Sequence, residues 1–299
     1  MITVSVPATS ANVGAGFDAI GLAVTLYNTA VFSQSDTLEI SSSDGTDVPT
    51  GEDNLIYHSA KLLFERCGEV VPGMKIVQTN PIPMARGLGS SSACIIAGLL
   101  GANEMLGGRM SKEELLTLAN EIEGHPDNVA PALLGGLSAS AVEEGKVYSV
   151  QKPVNDTLKF AAFIPNYPLL TSAARSALPA SVSHKQAIYN LSRAALLSAA
   201  FCDGRHDLIP VATQDSLHQQ YRLPLMPGAA EIMALCEKCG ALSCYVSGAG
   251  STMMAVIEAS EAEVFYEKAA LALAQNPQTA AFTMLPLSVD NVGATVTKK

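Results

Sequence analysis

Three short segments carry residue types that can do chemistry. The run Pro83-Met84-Ala85-Arg86-Gly87-Leu88-Gly89-Ser90-Ser91-Ser92-Ala93 passes from proline through two glycines into three hydroxyls and then a helical stretch. Glycines let the backbone approach a ligand closely and adopt positive φ. The helix start that follows offers unpaired N–H groups and about half a positive charge, which suits a phosphate. The serine hydroxyls add donors, or an oxygen ligand for a divalent cation. A tight turn with serine N-caps is the bland reading of the same residues.

The second segment, Pro7-Ala8-Thr9-Ser10-Ala11-Asn12-Val13-Gly14-Ala15-Gly16-Phe17-Asp18, places Asn and Asp beside glycines. Such a loop suits a ligand, and Asx-turn chemistry accounts for it equally well. The third, Glu121-Ile122-Glu123-Gly124-His125-Pro126-Asp127-Asn128, sets two carboxylates at a helix C-terminus, where the dipole disfavours them. A divalent metal or a substrate ammonium would repair that cost; a solvated charge pair is the alternative. Gly-x-Gly also occurs at Gly14/Gly16 and Gly248/Gly250, but no pair extends to the dinucleotide fingerprint, and no P-loop is present.

Around these segments the chain alternates strand-like and helix-like stretches. Period-two apolar spacing predicts a strand over residues 2–6, with further strands near 31–40, 74–80 and 160–164. Helices are expected over 54–65, 91–105, 184–201 and 229–239, the last closed by Gly240. Ser111-x-x-Glu114 and Ser260-x-x-Glu263 read as capping boxes opening helices toward 123 and 274. The uncharged run from Cys239 to Ile257 has a membrane-span length, but Ser247-Gly248-Ala249-Gly250-Ser251 at its centre predicts a turn between buried elements. Without a regular βαβ rhythm, the pattern favours an α+β fold. A domain boundary is expected between residues 142 and 159, where charge rises at Glu143-Glu144-Gly145-Lys146.

Composition narrows the classes. A chain of 299 residues suggests roughly two domains. Its net charge of −10 disfavours nucleic acid and anionic membranes as primary partners, so any phosphate must be held by local fields. No Lys or Arg precedes Lys61, which argues against a secretory or transit segment. Six cysteines do not make a disulfide scaffold, and Cys236-x-x-Cys239 lacks the second pair that a zinc site usually needs.

Together the motifs resemble the homoserine kinase family of the GHMP kinase superfamily. Pro7 to Asp18 looks like that family's first motif, Gly87 to Ala93 like the superfamily's phosphate loop, and Ser247-Gly248-Ala249-Gly250-Ser251-Thr252 like its third motif. Glu123-Gly124-His125-Pro126-Asp127-Asn128-Val129-Ala130-Pro131 narrows the likeness to homoserine kinases. The resemblance implies a ribosomal protein S5 domain 2-like ATP-binding domain over residues 1–155 and a ferredoxin-like domain over 156–299. It implies ATP- and Mg²⁺-dependent phosphorylation of L-homoserine to O-phospho-L-homoserine, a step toward threonine.

By that likeness Pro83, Met84, Ala85, Arg86, Gly87, Leu88, Gly89, Ser90, Ser91, Ser92 and Ala93 hold ATP, with Gly248 and Gly250 in the third glycine motif. Ser91 and Glu123 bind the metal, with Glu121 as the rival carboxylate. Asn12, Asp18 and Asp127 meet the substrate ammonium end with His125 lining the pocket, and Arg175 and Arg222 meet its carboxylate. Asp127 and Asn128 are the catalytic pair, Asn128 standing where other GHMP kinases place an Asp base. Ser251 replaces a usual Pro, which is expected to loosen its turn. The resemblance also suggests a homodimer, a cytoplasmic location is expected, and L-threonine, shaped like the substrate, is expected to compete with it.

Overall fold

The first ten residues set the architecture. In the computed structural model, which describes residues 1–298, strand β1 (Ile2–Ala11) runs antiparallel to β2 (Ile20–Gln34) along nearly its whole length. Pro7 has no N–H to give a ladder, and the register shifts there, between Pro7 and Ala8. The bulge re-aims the second half of β1, which carries Thr9 and Ser10 to the site.

Around this pair the first sheet adds β3 (Glu39–Ser42), β4 (Met74–Thr79), the hairpin β5 (Leu137–Glu143) and β6 (Lys146–Lys152), and β11 (Thr295–Lys298). Helices α1 (Leu55–Arg66), α2 (Ser90–Met105), α3 (Lys112–Glu123) and α4 (Pro126–Leu134) come from the same half of the chain. Helix α2 is apolar on every side because it lies in the core: Ala93, Ile95, Ile96, Leu99 and Ala102 are all buried. A helix hydrophobic all round belongs in such a place.

The second sheet is built from β7 (Leu158–Pro165), β8 (Ser243–Val246), β9 (Met253–Glu258) and β10 (Phe282–Leu287). Between β7 and β8 run α5 (Thr171–Ser176), α6 (His184–Asp203), α7 (Ile209–Ala212), α8 (Gln219–Arg222) and α9 (Ala229–Cys239); α10 (Ala262–Gln275) joins β9 to β10. All pairs are antiparallel in the order β10-β7-β9-β8, the split βαβ, ferredoxin-like arrangement. Phe163, Ile232, Cys236 and Phe265 form its core. The fold is therefore α+β with two sheets.

The uncharged stretch around residues 239–257 is β8, a glycine turn and β9. The charged residues 143–146 form the tip of the β5–β6 hairpin inside the first sheet, and the chain passes from that sheet to the second between Lys152 and Leu158. Two local expectations change. Ser260 does not cap α10, because a 3₁₀ turn over Ala259–Glu261 carries the chain in and makes Glu261 the N-cap, without a side-chain bond. Ser251 does not loosen its turn: it is buried, and its hydroxyl donates to the Tyr167 carbonyl at 3.0 Å.

Ser111, by contrast, forms a complete box with Glu114. Ser111→Ala is therefore expected to cost about 1 kcal/mol of stability. Ser260→Ala should stay within about 0.5 kcal/mol of the parent. Urea unfolding of the two variants side by side checks both.

Candidate active site

One cavity collects the sequence-derived residues. Its wall includes Pro83 through Ser91, Asn12, Asp18, Glu123, His125, Asp127, Asn128, Arg175, Arg222 and Gly248. Ser92, Ala93 and Gly250 do not line it; Ser92 and Ala93 are buried, Ser92 with its hydroxyl on Glu123, and a Cβ on Gly250 would meet Met226.

One end of the cavity is formed by the glycine turn and the start of α2. Gly89 is the N-cap in a left-handed conformation and supplies no side-chain cap, so the first-turn N–H groups are uncommitted where they meet the cavity. Helix α4 also opens there, on His125, again without a side-chain cap. The two positive helix ends give an acidic chain a local field for an anion. Arg86 is in the wall, and its guanidinium is engaged there, donating to the carbonyls of Pro165, Asn166 and Met84.

The two carboxylates at the end of α3 separate in role. Glu121 pairs with Arg66 at 2.6 Å on the surface. Glu123 instead accepts from the hydroxyls of Ser91 at 2.8 Å and Ser92 at 2.9 Å, both on its Oε1. Among the described residues no three His, Cys, Asp or Glu side chains cluster as a complete metal cage. One carboxylate beside serine oxygens, with phosphate and water completing the shell, is the hard-oxygen set that Mg²⁺ takes. Cys94 lines the same wall, and burial with Glu123 nearby pushes its thiol up to about 11, so it stays neutral.

At the other end, Arg175 grips Asp18 through two parallel bonds of 3.0 and 2.8 Å. Asp18 and Arg175 are each a little over a third exposed, so the pair faces the cavity. That hydrogen bond raises the Arg175 pKa above its ordinary value, against a smaller opposing effect of burial. Asn12 spends its amide on the loop: Nδ2 donates to the Gly248 carbonyl at 2.7 Å and Oδ1 accepts from the Asp18 N–H at 3.0 Å. It therefore places Asp18. Asp127 is buried in the first turn of α4, 2.6 Å from His125 Nδ1. Burial pulls the His125 pKa down, but the Asp127 hydrogen bond and charge, with Glu123, outweigh it and leave it raised.

Sequence reasoning missed several members. Thr9 donates to Asn128 Oδ1 at 2.8 Å, which leaves the Asn128 Nδ2–H groups for the cavity. Phe17 lies under both arginines, 5.8 Å from Arg175 and 5.2 Å from Arg222. Val48, Pro49, Asp53, Asn54, Leu55 and Asn80 form a further wall with a mixed apolar and amide lining. In the sequence, only the Ser/Asp/Pro-rich composition of residues 41–53 sets part of that wall apart.

Comparison with known proteins gives this arrangement a context. The model for the GHMP kinases N terminal domain matches residues 54–136, and the GHMP kinases C terminal model matches 192–275. A homoserine kinase of Clostridium beijerinckii is 46% identical over 99% of this chain and 98% of its own. One from Caldicellulosiruptor saccharolyticus is 43% identical over 99% and 96%. The crystal structure of homoserine kinase from Cytophaga hutchinsonii superposes with a TM-score of 0.88 at 28% identity, covering 99% of this chain and 97% of that one.

The raised His125 pKa has a defined sign. A histidine raised in the folded state stabilises it fully below the unfolded value of about 6.5, and the contribution is lost as pH rises through the folded pKa. The His125 ring is expected to titrate above that value by NMR, and Asp127→Asn should move its titration downward.

Proposed function

The chain belongs to the homoserine kinases of the GHMP superfamily, and we propose that it transfers the γ-phosphoryl group of ATP to the side-chain hydroxyl of L-homoserine, yielding O-phospho-L-homoserine and ADP. One observation carries the assignment to an amino-acid alcohol. Asp18 and Arg175 sit paired on the wall of the same cavity as the uncapped start of α2. A zwitterion can replace each partner's counter-charge, its ammonium meeting Asp18 and its carboxylate meeting Arg175 and Arg222. Opening a partly exposed ion pair costs about 0–1 kcal/mol, so the exchange is cheap. Guanidinium suits carboxylate because it donates two parallel hydrogen bonds.

Phosphoryl transfer is mostly positioning and charge stabilisation. The backbone of residues 83–91 cradles the triphosphate against the α2 N-terminus. The wall of Val48, Pro49, Asn54, Leu55 and Asn80 takes the nucleoside. Ser91 and Glu123 would hold Mg²⁺, which when bound neutralises charge on the phosphate oxygens. The substrate hydroxyl oxygen attacks the γ-phosphorus as the bond to the leaving β-phosphate oxygen breaks. Asn128 cannot accept the hydroxyl proton, since an amide is no base. With Oδ1 engaged by Thr9, its Nδ2–H groups orient the attacking oxygen, and the proton passes to the transferred phosphate or to water. Asp127, held on His125, adds negative charge toward the ammonium.

L-Threonine presents the same ammonium and carboxylate and competes for Asp18 and Arg175. A cytoplasmic homodimer completes the reading; the exposed Tyr148 and Val150 on edge strand β6 support the second copy.

Mg²⁺-dependent ADP release, measured against L-homoserine, D-homoserine, L-serine, mevalonate and galactose, is expected only with L-homoserine. Silence across the panel with ATP still bound would overturn the assignment. Asn128→Ala is expected to lower kcat by about 10²-fold, the scale of losing one oriented donor, with little change in KM. Retention of full kcat would remove Asn128 from the mechanism.

A further inference from the structure

We propose that His218 is a positioning residue: its Nδ1 accepts an N–H of Arg222 and thereby sets that guanidinium to receive the substrate carboxylate. The inference rests on the carboxylate role given to Arg222 above and names the group that makes the role possible.

Two partners fix the state of the ring. His218 Nε2 lies 2.8 Å from the Gly14 carbonyl, which can only accept. Its Nδ1 lies 3.1 Å from Arg222 Nη1, which can only donate. Both bonds form together in one species, the neutral imidazole with hydrogen on Nε2. An imidazolium would turn an N–H against the guanidinium. Burial, the largest influence, lowers the His218 pKa, and the charge of Arg222 adds to it, although Asp215 opposes both.

Arg222 is the largest buried side chain and 1% exposed, yet it lines the cavity. Its Nη1 donates to the Gly248 carbonyl at 3.0 Å as well as to His218, and its Nε to the Ala174 carbonyl at 3.5 Å. Three N–H groups are thus committed, and the Nη2 pair is left for a ligand. All three acceptors are neutral. A carboxylate in place of His218 would hold the guanidinium as well, but would cancel the charge that a substrate carboxylate needs. The neutral ring orients Arg222 and leaves its charge in play.

The surroundings lock this geometry. His218 stacks on Phe17 at 5.3 Å with a 26° interplanar angle, and Phe17 also faces Arg222. Asp215 accepts the backbone N–H groups of Leu217, His218 and Gln219, fixing the turn that opens α8. His218 and Arg222 then stand one helical turn apart on a short, held segment.

Two substitutions separate the ring's two bonds. In His218→Asn the side-chain oxygen can take the place of Nδ1, whereas in His218→Gln the amide reaches only the Nε2 position. His218→Gln is expected to raise KM for L-homoserine by on the order of tenfold, the scale of a lost charge-assisted hydrogen bond, with kcat and the KM for ATP within about twofold. His218→Asn should stay within about threefold of the parent on all three. L-Homoserinol, which lacks the carboxylate, should inhibit the parent and His218→Gln equally. An unchanged KM in His218→Gln, equal damage in both variants, or an equal loss for homoserinol would overturn the proposal.

¹⁵N NMR of the unsubstituted protein needs no variant to fold. It is expected to show His218 unprotonated at Nδ1 at neutral pH, and protonation there would overturn the assignment. An unsubstituted protein silent on L-homoserine would instead fail the activity reading, while the NMR tautomer still decides the His218–Arg222 bond.

Discussion

Backbone meets backbone where the three glycine-bearing loops cross, and that contact decides where everything else stands. A Cβ on Gly87 would run into the Ser247 carbonyl, and one on Gly89 into the Thr9 hydroxyl; both residues have φ near +70°, at 76° and 69°. Only glycine fits. The approach is then tied by hydrogen bonds from Gly248 N–H to the Ala11 carbonyl, from Thr252 N–H to the Arg86 carbonyl, and from Ser247 Oγ to the Gly87 carbonyl. Segments from the beginning, the first third and the last fifth of the chain become one wall. The two sheets meet at the site because these loops do.

Within that wall an acidic chain keeps a positive field. The starts of α2 and α4 supply fixed partial charge, and Arg175 and Arg222 supply full charge. Burial, then the nearness of Arg175, lowers the Arg222 pKa, while Asp18, Asp127 and Asp215 work the other way. On the proposed function the Asp18–Arg175 pair exchanges its counter-charges for those of a zwitterion, and the cavity needs no net charge of its own to bind one.

Much of this was legible in residue order. The alternation in β1, the hydroxyls after Gly89 and the Ser111 capping box each state a local preference that the fold satisfies, and these agree across levels. Glu121 and Glu123 were not separable, because only their partners distinguish them, Arg66 on the surface for one and Ser91 and Ser92 at the start of α2 for the other. Asn12 offered both a ligand role and an Asx turn; in the fold its amide lines the cavity while tying the Gly248 carbonyl to the Asp18 N–H, which no local pattern encodes. Thr9 and Phe17 carried no signal: each acts through partners more than a hundred residues distant, and spacing along the chain says nothing of such contacts. His218 stands only four residues from Arg222, but the ring state that matters is set by the distant Gly14 carbonyl. The failed cap at Ser260 shows the converse, a local motif overridden by the 3₁₀ turn that enters α10.

The exchange of charge at Asp18 and Arg175 is tested most directly by a crystal structure with L-homoserine and a non-hydrolysable ATP analogue. The ammonium should lie on Asp18 and the carboxylate between Arg175 and Arg222, with the two bonds of 3.0 and 2.8 Å between Asp18 and Arg175 broken or reduced to one. An amino acid bound elsewhere, or seated while both bonds persist, would contradict the account.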